Sequence, residues 1–275
     1  VTLIEKLHDS GLERPLVMGI LNVTPDSFSD GGRFVSKDAV RRQVDAMVAA
    51  GADMIDIGGE STRPGAPEVS LQEELDRVLP AMEWVKSHCD AYVSVDTYKP
   101  QVMKESIAFS VDMINDINAL ESDGAVELVA DSGVAVCLMH KKGTPKNMQA
   151  NPVYENGVFN EVFKYLAARA DACVQQGVKP EAITLDPGFG FGKTLTHNIE
   201  LFERLEMFSE LQYPLLVGVS RKRMIGELLG DVPVDERVIG SVAAASLAAL
   251  KGAKILRVHD VAETVQALKV TMALL

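Results

Sequence analysis

The 275-residue chain is short of cysteine, of positive charge and of long apolar runs, and each shortage excludes something. Its three cysteines, Cys89, Cys137 and Cys173, are widely spaced and include no Cys-x-x-Cys pair, which argues against a disulfide framework and a zinc site. Cys137 stands within an apolar run and reads as a small core residue. Against 39 acidic residues there are 27 Lys and Arg, a formal charge of −12. That balance disfavours nucleic acid or an anionic membrane as a general partner, so an anionic ligand must be held by local basic groups. No apolar run approaches the roughly 20 residues needed to span a bilayer, and the first residues lack the basic-then-apolar pattern of a secretory signal. A cytoplasmic location is expected. Also missing are a Gly-x-Gly-x-x-Gly loop after the first strand-like run, a Gly-x-Ser-x-Gly elbow and a His-Glu-x-x-His pair. These absences count against an open dinucleotide-binding sheet, a serine hydrolase and a zinc protease.

What the chain has instead is a series of short apolar runs that each stop at a polar residue. Residues 16–21 stop at Asn22, 54–55 at Asp56, 91–95 at Asp96 and 113–114 at Asn115. Residues 134–139 stop at His140, 182–185 at Asp186, 214–219 at Ser220-Arg221-Lys222, and 254–256 at Arg257 and His259. Eight buried strands with polar C-terminal ends describe a (β/α)8 TIM barrel with one composite active site at that face. The length suits one such barrel, so residues 1–275 are expected to form a single domain with a substantial core, 47% of the chain being hydrophobic.

Helix-period segments fill the gaps. Ser36 is the expected N-cap of a helix through Val40, Val44, Met47 and Val48 that stops at Gly51. Ser70 and Glu73 form a capping-box pattern before a second helix, in which Pro80 should introduce a kink or a break. Lys99-Pro100 opens another, and Asp260 with Glu263 repeats the capping pattern before the last. Three long Gly- and Pro-bearing loops, 22–35, 58–69 and 140–157, are expected to act as lids or binding loops.

Asn22, Asp96, Asn115 and Asp186 together make a ring of donors and acceptors suited to a flat heterocycle with amide and amino groups. Taken singly, each would more often be a satisfied structural group. Thr62, Arg63, Arg257 and His259 suit a phosphate or pyrophosphate, each charge-assisted bond contributing about 1.5–3 kcal/mol. The stretch Asp186-Pro187-Gly188-Phe189-Gly190-Phe191-Gly192-Lys193-Thr194 is not a Walker A loop, because Pro187 takes the place of its first glycine. Its alternating Gly and Phe suggest close backbone approach to a ligand beside an aromatic wall. Lys222 has two roles open to it: a Schiff-base lysine of lowered pKa, or a point charge on a ligand oxygen. Arg221 and Arg223 flank it, and Arg223 is expected to face solvent.

These segments resemble the dihydropteroate synthase family. Residues 19–32, Gly19-Ile20-Leu21-Asn22 through Gly31-Gly32, are similar to its first signature, and 55–65, Ile55-Asp56 through Pro64-Gly65, to its second. Ser94-Val95-Asp96-Thr97, Ile114-Asn115-Asp116, Asp186 to Gly190, Ser220-Arg221-Lys222 and Arg257-Val258-His259 follow in the family's order. The resemblance implies condensation of a dihydropterin methyl diphosphate with 4-aminobenzoate. It implies that Asp96, Asn115, Met139, Asp186, Lys222 and Arg257 hold the pterin. Asn22, Thr62, Arg63, Arg257 and His259 would hold the diphosphate, Asn22 also through Mg2+. Phe28, Pro64, Phe191, Arg221 and Lys222 would border the aminobenzoate, and Lys222 would act as a hydrogen-bonding charge. The implied chemistry is dissociative loss of pyrophosphate, with Asp96, Lys222 and Arg257 as the catalytic groups, and the implied assembly is a homodimer. Rivals are a pterin-binding methyltransferase domain, which has no need of the diphosphate clamp, and a non-catalytic pterin-binding homologue.

Overall fold

The computed structural model describes residues 1–24, 37–61, 68–143 and 152–275. After a short helix α1 (Leu3–Leu7), strands and helices alternate to the end of the chain. The order is β1 (Leu16–Asn22), α2 (Lys37–Ala49), β2 (Met54–Gly58), α3 (Leu71–His88), β3 (Tyr92–Asp96), α4 (Pro100–Ala108), β4 (Met113–Asp116) and α5 (Ala125–Ser132). Then come β5 (Ala135–Met139), α6 (Val158–Gln175), β6 (Ile183–Asp186), α7 (Leu195–Glu203), β7 (Leu216–Val217), α8 (Arg223–Leu228), α9 (Val238–Leu250), β8 (Ile255–Val258) and α10 (Val261–Ala273).

All strand pairs are parallel, in the spatial order β6-β5-β4-β3-β2-β1-β8-β7, and a parallel bridge between Leu185 and Leu215 joins β6 to β7. The sheet thus closes on itself as the expected barrel. Residues alternate between two cores. Outward side chains such as Ile55, Ile57, Val93, Val95, Val136 and Leu138 pack against the helices. Inward ones, among them Leu16, Met18, Met54, Met113, Cys137, Leu216 and Ile255, form a second cluster that Leu3 and Leu7 of α1 close from below. The small-core reading of Cys137 is therefore met.

Local signals mostly work as their chemistry dictates. Val40, Val44 and Met47 are buried on α2, and Gly51 ends that helix at φ +96°, while Ser36 lies outside the described residues. Ser70 Oγ accepts from Glu73 N, but Glu73 pairs with Arg77 rather than returning to the cap, so only half of the capping box forms. α3 runs unbroken through Pro80, its buried face of Val78, Ala81, Met82 and Val85 holding it against the sheet. Pro100 opens α4 as expected. Asp260 does not cap α10, because its carboxylate is engaged by Arg221.

Candidate active site

The barrel's C-terminal end gathers the polar strand ends around one guanidinium. Arg257 of β8 donates from Nε to Asp56 Oδ2 at 2.6 Å and from Nη2 to Asp96 Oδ2 at 2.9 Å. Asn115 of β4 donates to the same Asp56 oxygen at 3.2 Å. A Cβ at Gly58 would lie 3.7 Å from both Asn22 Oδ1 and the Asp96 Cβ, so Asn22 and Asp96 stand on either side of that glycine. Two carboxylates therefore share one cation where water is scarce. Burial pushes Asp96 up to about 7; Arg257 pulls it back, while Asp56, Asp116 and Glu74 add to the rise. Arg257 is held above its ordinary value, Asp56 and Asp96 more than offsetting the cost of its burial.

The opposite wall comes from β5, β6 and β7. Met139 ends β5 in register with Asp186, which ends β6 and accepts from Gly188 N at 2.7 Å. Burial raises Asp186, with Lys222 opposing. Lys222 Nζ donates to Phe189 O at 2.5 Å and lies 4.7 Å from the centre of the Phe191 ring. Burial lowers Lys222 to about 8, Asp186 resisting and Arg257 contributing to the fall. The arginines next to it in sequence are turned elsewhere. Arg223 is exposed and pairs with Glu227, as expected of a solvent-facing side chain, and Arg221 forms a two-point ion pair with Asp260.

The Ser220-Arg221-Lys222 turn distributes three consecutive side chains to three parts of the site. Ser220 Oγ accepts from His259 N at 3.1 Å and meets His259 Nδ1 at 3.0 Å, fixing the imidazole beside the end of β8. Arg221 has a left-handed backbone, φ +55°, which favours glycine and is costly here. Two groups near the start of α9 hold it: Ser241 Oγ accepts from Arg221 N at 2.8 Å, and Arg237 donates to Arg221 O at 3.1 Å.

The Gly/Phe alternation after β6 has a different cause from the one its sequence suggested. Gly188 and Gly192 have φ of +68° and +67°, and a Cβ on either would run into the carbonyls of His140 and Lys142. At these two glycines the close backbone approach is to the protein's own β5 loop. Lys193 is buried beneath it.

With this geometry in place, comparison with known proteins is decisive. A profile described as "Pterin binding enzyme" matches residues 18–259. Dihydropteroate synthase of Haemophilus influenzae is 52% identical over 262 residues, covering 95% of this chain and 94% of that one. The chain belongs to the dihydropteroate synthase family. A solved dihydropteroate synthase of Yersinia pestis, in complex with a sulfonamide drug, superposes with a TM-score of 0.90 at 51% identity, covering 95% and 94% of the two chains. The dihydropteroate synthase of Xanthomonas albilineans with 7,8-dihydropteroate superposes at 0.86 with 44% identity, again over 95% and 94%.

Of the site residues expected for a dihydropteroate synthase, Asn22, Asp96, Asn115, Met139, Asp186, Phe191, Lys222, Arg257 and His259 converge on this end of the barrel. Phe28, Thr62, Arg63 and Pro64 lie outside the described residues. Sequence reasoning passed over Asp56 as a site residue although it, too, stops an apolar run; it lies fully buried within β2 rather than at its end, linking Arg257 to Asn115. It also passed over Lys99, which joins Glu60 at 2.6 Å, Val69 O at 2.7 Å and the buried Glu74 at 2.5 Å, bracketing the segment that contains Thr62 and Arg63. Among the described residues no cluster of three or more His, Cys, Asp or Glu side chains could hold a metal. A lone amide oxygen such as Asn22 Oδ1 suits Mg2+, which takes one or two protein ligands and completes its shell with phosphate and water.

Proposed function

We propose that the chain is a dihydropteroate synthase, joining (7,8-dihydropterin-6-yl)methyl diphosphate to 4-aminobenzoate with loss of pyrophosphate, and that residues 1–275 act as one pterin-binding barrel domain. The observation that carries the reading is Arg257, whose guanidinium is anchored to both interior acids while its strand runs on to His259. It can cover the pterin and meet the diphosphate at once. Asp186 and Asp96 accept from the amino-pyrimidine edge, and Asn115 offers an acceptor and a donor. Met139 packs against a ring face, and Lys222 donates to a pterin heteroatom.

The C–O bond to the diphosphate breaks first, its electron pair leaving with pyrophosphate. Thr62, Arg63, Arg257 and His259 neutralise the charge that develops there. Asn22 would hold Mg2+ together with the diphosphate, and that ion supplies further positive charge to the leaving group. The allylic cation left on the pterin methylene lies beside the Asp96 carboxylate. The aminobenzoate nitrogen then forms the new C–N bond from a pocket bordered by Phe28, Pro64, Phe191 and Lys222, and gives up one N–H proton, which the departing pyrophosphate can accept. Arg221 supports this pocket through its turn, its own cation being neutralised by Asp260. Excluding water is essential, because water would capture the cation.

A homodimer is supported by α9, which contains no charged residue, and α10, which packs against it; Ile239, Leu247, Leu250, Val270 and Leu274 on the pair are exposed. A cytoplasmic location is supported by the three cysteines, all free. The deciding experiment measures pyrophosphate release from the pterin diphosphate with Mg2+, with and without 4-aminobenzoate, while dihydropteroate is followed by chromatography. Aminobenzoate-dependent product is expected. Tight pterin binding without product would overturn the synthase reading in favour of a binding or methyl-transfer role.

A further inference from the structure

Among the described residues the chemistry above leaves one buried lysine unused, its ammonium pushed well below the ordinary lysine value by burial, with Asp186 resisting. Lys193 is 2% exposed, and its ammonium faces carbonyl oxygens and an imidazole rather than a carboxylate. Nζ donates to Gly188 O at 2.7 Å and to Phe191 O at 3.1 Å, and meets His140 Nδ1 at 3.0 Å. With His140 O at 3.4 Å as a fourth, longer acceptor, every proton of the ammonium has a partner, the condition under which a buried ammonium is tolerated. Burial, reinforced by Lys193 and Lys142, drives His140 down to about 2, so its imidazole is neutral and can accept.

Those acceptors belong to two loops. His140 follows β5; Gly188 and Phe191 follow β6. The same β6 loop is tied to its flanks by Asn198 Oδ1, which accepts from Gly190 N at 2.8 Å, and by Tyr154 OH, which donates to Gly192 O at 2.8 Å. Its shape decides where two groups at the site lie: Phe189 O, which holds Lys222, and the Phe191 ring beside that ammonium. Asp96, Asn115 and Arg257 stand on other strands and are joined to one another directly or through Asp56, not to this loop.

We propose that Lys193 is a positioning residue for the aromatic amine substrate: its buried ammonium holds the Gly188–Gly192 loop in the shape that sets Phe189 O and the Phe191 ring against Lys222. The proposal rests on the placement of aminobenzoate beside Phe191 and Lys222 given above. Removing the ammonium takes the side-chain donor from Phe191 O and His140 Nδ1 and leaves Gly188 O only the Phe191 N–H, and the loop must rearrange to reach water or new donors. The aminobenzoate pocket changes most; of the pterin contacts, Asp186 and Lys222 touch this loop, whereas Asp96, Asn115 and Arg257 do not.

The test compares Lys193→Met, Lys193→Gln and Phe191→Ala with the unaltered enzyme. Each substrate is varied in turn, and pterin diphosphate binding is measured separately by calorimetry. Lys193→Met is expected to raise KM for 4-aminobenzoate about tenfold or more while pterin diphosphate affinity falls clearly less, since only Asp186 and Lys222 among its contacts bond to this loop. Lys193→Gln, which keeps two donors, is expected to fall between. An unchanged KM in Lys193→Met, with Phe191→Ala raising it, overturns the role of Lys193 and leaves the placement standing. An unchanged KM in Phe191→Ala removes the placement and the proposal with it. Equal losses for both substrates in Lys193→Met reduce Lys193 to general support of the fold and also overturn the proposal. Should Lys193→Met not fold, Lys193→Gln decides alone, a KM equal to that of the unaltered enzyme being the overturning result.

Discussion

Successive inward positions on three strands separate an apolar floor from a charged mouth. Met54 and Asp56 on β2, Met113 and Asn115 on β4, and Ile255 and Arg257 on β8 are each two residues apart and share the barrel interior. Depth does not distinguish them, since Met54 and Asp56 are both fully buried. What differs is how burial is accommodated. Each floor side chain removes apolar surface from water, worth about 1.5–3 kcal/mol when complete. Each mouth side chain loses hydration that its partners only offset, so the Asp56–Arg257–Asp96 cluster contributes little net stability and holds a defined geometry instead. One set of strands thus serves stability at one end and chemistry at the other, as the barrel architecture permits.

Breaking the mouth at its centre should have the largest effect. Arg257→Ala removes the cation shared by Asp56 and Asp96 and the proposed contact to the diphosphate, and kcat/KM is expected to fall about 10³-fold or more. Binding of the pterin diphosphate should weaken far more than binding of free pterin. Calorimetry with both ligands checks this, and equal losses would mean that Arg257 acts on the pterin alone.

Asp96→Asn sharpens the same comparison by keeping the shape and removing the charge. Turnover should drop about 10²-fold, with a smaller change in pterin diphosphate affinity, because only the transition state carries the cation. The pH profile gives the sign. Asp96, held at about 7, must be ionised to act, so kcat/KM should rise with pH through about 7; Lys222, at about 8, must be protonated, so it should fall above about 8. In Asp96→Asn the rising limb should vanish and the falling limb remain. Stability runs the other way for this group. Its folded value lies above the unfolded one of about 3.9, so its stabilising contribution is complete below about 4 and is lost as pH rises through about 7. A rising limb that survives in Asp96→Asn assigns it to another group.

Most of this mouth was legible because its residues stop apolar runs: Asn22, Asp96, Asn115 and Asp186 needed only the rule that a buried strand ends where a polar side chain is used. What was not legible depends on pairs distant in sequence. Asp56 meets Arg257 across 201 positions and Lys193 meets His140 across 53, and no local pattern encodes either. Competition was hidden for the same reason. Asp260 looked like a helix cap until Arg221, 39 positions earlier, engaged its carboxylate. The lowered pKa of Lys222 likewise comes from burial and from Arg257, 35 positions away, while the adjacent Arg221 and Arg223 are paired elsewhere.

The smallest effect on the chemistry should come from the floor. Met113 is fully buried in the inner cluster, two residues before Asn115 on the same strand. Met113→Ala removes packed volume that the surrounding Met and Leu side chains refill only in part, and unfolding should become easier by about 2–5 kcal/mol. Below the melting transition, kcat/KM and the pH limbs should stay within about twofold of the parent, because Asn115 is held from above by Asp56 and not from below by Met113. Denaturant melts and kinetics on one preparation test both halves. A stable variant with lowered kcat/KM would mean that the floor sets the height of Asn115, and the division between the two ends of the barrel would no longer hold on β4.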